Sequence, residues 1–102
     1  MAKFELKIHD TQTGEIVKTH KRGFVPVGLY IKFQQLSEKI IKDKVGSDAE
    51  MFELLKDLFR EMFPELSSDE YDNQTDVAEI LMMFREILDK STQILPGDSK
   101  NA

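Results

Sequence analysis

The stretch MFELLKDLFREMFPEL, residues 51–66, decides how this chain is read, because nine of its sixteen positions are Met, Leu or Phe. Set at about 100° per residue, Leu54, Leu58, Met51, Met62, Leu55, Leu66, Phe59, Phe52 and Phe63 fall, in that angular order, within a continuous arc of about 180° on a helix continued to Leu66. A helix resting on a single packed layer needs an arc of about 100°. The stretch is therefore a helix with more apolar surface than one neighbour consumes. Its start is marked by Ser47 and Glu50, the S-x-x-E spacing of a capping box, which puts the first helical residue near Asp48. Its end follows Phe63, because the ring of Pro64 cannot continue the ladder of helical hydrogen bonds.

Working toward the N-terminus, Leu29, Phe33, Leu36 and Ile40 recur at steps of four, three and four, with Tyr30 and Ile41 beside them. That spacing predicts a helix beginning just after GFVPVG, residues 23–28, and ending at Gly46. Before it, Phe4, Leu6 and Ile8 alternate with Lys3, Glu5, Lys7 and His9, the period of a strand with one buried face. Thr11 to Gly14 supply a turn, and Ile16, Val17 and Thr19 a second strand, so the chain opens with a β-hairpin. An isolated hairpin is marginal in water, so this one must lie on the helices.

Toward the C-terminus, Ser67 and Glu70 repeat the capping-box spacing and predict a short helical turn through Tyr71. Asn73, Thr75 or Asp76 then caps a last helix whose Val77, Ile80, Leu81, Phe84, Ile87 and Leu88 make one stripe. Pro96-Gly97 and the polar GDSKNA read as a disordered tail. The expectation is an α+β, mostly helical fold: an N-terminal β-hairpin packed on three to four α-helices in one domain over residues 1–95, with a tail over 96–102.

Composition narrows the function. The chain has no cysteine and two histidines, too few ligands for a structural zinc site, and an intracellular setting fits it. It contains no apolar run of signal-peptide or membrane-spanning length, so neither export by that route nor a membrane partner is expected. Net charge is −5, but residues 1–46 hold nine Lys/Arg against five Asp/Glu, while residues 47–102 hold five against fourteen. The basic cluster Lys18, Lys21 and Arg22 is short and faces an acidic second half, which argues against a nucleic-acid partner.

Candidate chemistry is sparse. His9 lies on the polar phase of the first strand and His20 near the basic turn, and both read as surface histidines without a triad around them. DEYDNQTD, residues 69–76, has the carboxylate density of a calcium loop but lacks the central glycine and terminal glutamate of an EF-hand, so it reads as capping and loop. The five glycines are scattered singly, with no phosphate-cradling motif. No metal, cofactor or enzymatic activity is expected.

The excess apolar arc of residues 51–66 has two readings. The helix is central and packed on several sides, or one edge of it is kept for another chain's apolar helix. Under the second reading Leu54, Leu55, Leu58 and Met62 are core, and Phe52, Phe59, Phe63, Met82 and Met83 are the candidate partner-binding residues. Self-association through the same edge stays open.

The order of elements, with RGFVPVGLYIKFQQLSEKI after a short hairpin, then the acidic, Phe-rich EMFELLKDLFREMF and a closing amphipathic helix, resembles the small tail assembly chaperones of long-tailed bacteriophages that infect Gram-positive bacteria. The resemblance spans residues 3–93 and rests on pattern and length; the chain departs from the family's usual glycine where it reads YDNQTDVAEI. It implies a non-enzymatic protein of the host cytoplasm, absent from the mature virion. Such a protein binds the tape measure protein and keeps it soluble until tail tube protein subunits polymerise around it. A second reading is a small regulatory adaptor or inhibitor whose basic hairpin meets an acidic partner.

Overall fold

Alternation at the N-terminus produces β1 (Phe4–His9), in which Phe4, Leu6 and Ile8 are buried and Glu5 is exposed. In the computed structural model, which describes residues 4–43 and 47–94, β1 pairs antiparallel with β2 (Ile16–Arg22), and the two form a two-stranded sheet. The turn between them is built by Asp10, whose Oδ1 accepts the backbone N–H groups of Gln12 and Thr13 at 2.8 and 3.0 Å. Those donors, Thr13 first, hold the Asp10 carboxyl below its usual range. Gly14 has φ +79°, a left-handed conformation that a side chain would disfavour.

The second strand corrects the expected pattern. Ile16 and Val17 are exposed, and the register sets Leu6 opposite His20, Ile8 opposite Lys18 and Phe4 opposite Arg22. Cross-strand partners share a face of the sheet, so β2 turns basic side chains, not its β-branched ones, toward the helices. His20 is accordingly 6% exposed rather than a surface histidine.

Among the described residues four helices follow, making the fold α+β and mostly helical. α1 (Val27–Asp43) begins just before Gly28, because a proline at a helix start sacrifices no helical hydrogen bond and the Pro26 carbonyl accepts Tyr30 N–H at 2.9 Å. α2 (Asp48–Met62) starts where Ser47 Oγ accepts Glu50 N–H. At its C-terminus two arginines take carbonyls: Arg22 Nη1 donates to Met62 O at 2.6 Å, and Arg60 Nε to Leu66 O at 3.2 Å. α3 (Ser68–Gln74) carries a complete capping box between Ser67 and Glu70. α4 (Val77–Ile94) is capped by Asp76, whose Oδ1 accepts Ala78 N–H at 3.0 Å. Gly46 and the expected tail over 96–102 lie outside the described residues.

The core centres on Phe33 of α1. Its ring meets Phe59 of α2 edge-on at 5.5 Å between centroids and Phe84 of α4 at 6.0 Å, so α1 bridges the two other long helices. Around these rings lie Leu29, Leu36, Leu55, Met62, Leu66, Ile80 and Ile87, all buried, and the β1 residues Phe4, Leu6 and Ile8. On the outer side of β1, Lys7 N–H is received by Glu79 Oε1 of α4 at 3.2 Å, which closes an otherwise unpaired position.

Candidate functional site

The five candidate partner-binding residues do not form one surface. Phe59 is fully buried beside Phe33, Phe63 is 2% exposed beside the His20 ring, and Met83 is buried among the α4 core residues. Phe52 is half-buried, and Met82 is exposed on the far side of α4. The phenylalanine edge expected to grip a partner is thus mostly core. Leu54 and Leu58, expected to be core, are half-buried at the margin, while Leu55 and Met62 are fully enclosed. The arc on α2 was legible, but its buried centre is turned toward Phe59, because α1 supplies Phe33 and the hairpin supplies His20 on that side.

An apolar surface nevertheless forms elsewhere. Phe52 of α2, Tyr71 of α3 and Val77 and Ile80 of α4 line a groove of about 210 Å³, with Glu53, Asp72 and Thr75 at its rim. Tyr71 joins two of its walls: the hydroxyl donates to Phe52 O at 2.8 Å. The groove leads onto α4, where Val77, Leu81, Phe84 and Leu88 follow one another at steps of four, three and four. These four lie within about 60° of one another by helical spacing, beside the buried row Ile80, Met83 and Ile87. Val77 and Leu81 are 57% and 40% exposed, and Phe84 and Leu88 are half-buried.

The rim is anionic with one embedded cation. Lys56 Nζ lies 3.0 Å from Asp72 and 3.5 Å from Glu53, and the Asp72 carboxylate holds its ammonium above the usual range. Burial, with the same two carboxylates nearby, pushes the Tyr71 hydroxyl well above its ordinary value, so it remains a hydrogen-bond donor at every physiological pH.

A polar cluster missing from the sequence reading ties α3 to the hairpin. Glu70 accepts from Lys18 Nζ at 2.8 Å, His20 Nε2 lies 3.0 Å from its other oxygen, and Ser67 N–H donates to that same oxygen at 3.2 Å. Led by Lys18, these donors pull the Glu70 carboxyl down to about 2 against the opposing effect of its burial. The alternation that buries Leu6 contained the signal, because any residue paired with Leu6 faces inward. Beside His20, a cleft of about 270 Å³ is lined by Thr19, Lys21, Phe63, Pro64 and Glu65. With its Nε2 committed to Glu70, this histidine reads as a fastening. His9 Nδ1 donates to Gly14 O at 3.0 Å, which leaves Nε2 as a buried acceptor without a protein partner beside the polar residues Asn73 to Asp76. Among the described residues no three His, Cys, Asp or Glu side chains converge to hold a metal ion.

Compared with protein-family models, with curated proteins and with solved structures, the chain matches none.

Proposed function

We propose that this protein is a phage tail assembly chaperone that binds the tape measure protein through an apolar helical surface and holds it soluble until tail tube subunits enclose it. The observation that carries the reading is the second apolar stripe of α4: Val77 and Leu81 are exposed next to the groove at Phe52 and Tyr71, and the stripe runs on through Phe84 and Leu88, which are half-buried against the core. A stripe at steps of four, three and four over about three turns is the complement of an amphipathic helix laid in a groove. A tape measure is a very long apolar-striped helix without a partner early in assembly, and such a helix aggregates unless its stripe is covered. Half-exposed side chains suit a contact that must be reversed when the tube forms, since dissociation rate is where affinity is tuned.

The surface proposed here replaces the one expected from the sequence: Phe52 is kept, Phe59, Phe63 and Met83 are removed to the core, and Met82 lies apart. The adaptor reading has less support, because Lys18 and Arg22 of the basic hairpin are engaged by Glu70 and by the end of α2. Co-expression with the tape measure protein encoded in the same genome tests the proposal. The tape measure should appear in the soluble fraction and copurify with the wild-type chain, and Leu81→Glu should abolish both while the variant itself stays folded. A tape measure that remains insoluble with the wild-type chain would overturn the reading.

A further inference from the structure

Resting on that reading, we infer that the occupant of the groove is selected by charge as well as by its apolar stripe: the partner is a basic amphipathic helix, with Lys or Arg flanking its apolar anchors. Residues 48–74, which form α2, α3 and their connection, hold nine Asp/Glu against two Lys/Arg, a net charge of −7 in a chain whose total is −5. Glu53 and Asp72 stand at the rim of the groove itself, and Asp48, Asp57 and Asp69 are exposed on the same two helices. Lys18 at Glu70 and Lys32 at Glu61 offset two of these charges from outside the segment, and an acidic excess remains. Lys56 sits between Glu53 and Asp72, leaving one negative charge in excess at the rim, and Arg60 is drawn to the Leu66 carbonyl at the end of α2.

The physical consequence is a division of labour. Phe52, Val77 and Leu81 give an approaching helix somewhere to bury apolar area. The surrounding carboxylates raise the encounter rate of a cationic helix and repel an anionic one. The same repulsion acts between two copies of this face, so a second copy of the chain is a poor occupant. The anionic surface of a phospholipid bilayer is disfavoured for the same reason.

Two labelled synthetic helices of about 18 residues, long enough to hold helical structure, test the inference. Both carry Leu at the i, i+3, i+4, i+7 positions, one with Lys and the other with Glu at the remaining sites, and binding to the full chain is read by fluorescence anisotropy. The Lys helix should bind at least about tenfold more tightly at 0.1 M salt, and the gap should close near 1 M, where the screening length falls from about 10 Å to about 3 Å. Val77→Ser, at an exposed position, should weaken binding of the Lys helix severalfold, and Glu53→Lys should reduce the preference for it. Equal binding of both helices would overturn selection by charge while leaving the apolar-helix reading in place. Binding of the Lys helix that Val77→Ser leaves unchanged would overturn the groove as its seat. Binding of neither helix would overturn both.

Discussion

Glu70 Oε1 lies 3.0 Å from Nε2 of His20, 50 residues earlier in the chain, and that contact fastens α3 to the inward face of β2. The same carboxylate completes the α3 capping box and receives Lys18, so one side chain links the start of a helix to a strand. The Glu70 carboxyl is held at about 2, below its ordinary 4.5, so its contribution is fully present above pH 4.5 and is lost as the pH falls toward 2. Solvent around the half-exposed Lys18 screens part of the interaction, leaving on the order of 2 kcal/mol. Urea unfolding of wild type and Glu70→Gln across that window should show the wild type losing stability more steeply, and the two curves converging near pH 2. Parallel curves would show that the contact carries no linkage.

Phe59→Ala should destabilise the fold by about 3–5 kcal/mol, since it leaves a cavity against Phe33 at the junction of α1 and α2. Native domains have about 5–15 kcal/mol in total, so the variant should unfold at much lower denaturant with an unchanged slope. Met82→Ser, at a position 69% exposed, should change stability by less than about 0.5 kcal/mol and leave partner binding intact.

Removing the hydroxyl in Tyr71→Phe deletes the bond to Phe52 O without emptying the space the ring fills. The expected cost is about 1 kcal/mol. Amide exchange should quicken in α3 more than in α1 or α4, because the bond holds α3 to the N-terminal half of α2.

Gly14→Ala tests backbone conformation alone. A β-carbon there would meet no heavy atom within 4 Å, so any loss arises from φ +79°. The expected destabilisation is about 1 kcal/mol, seen as a lower midpoint with an unchanged slope.

The sequence by itself determined the elements and most of their ends. Ser47, Ser67 and Asp76 cap helices through bonds to residues two or three positions on, Pro64 stops α2 by its own ring, and the alternation of Phe4, Leu6 and Ile8 makes a strand within its own span. All of these causes act inside a single turn or strand, so a short window of residues contains them. The tertiary structure alone decided which side of α2 is sealed, and that His20 lies inside. It also decided that Phe52, Tyr71 and Val77 share a groove. Each of these depends on how elements distant in the chain are seated against one another: Phe33 against Phe59, Leu6 against His20, α4 against the start of α2. Helical periodicity gives the width of an apolar arc, but the direction in which that arc is covered is set by partners that no local pattern names.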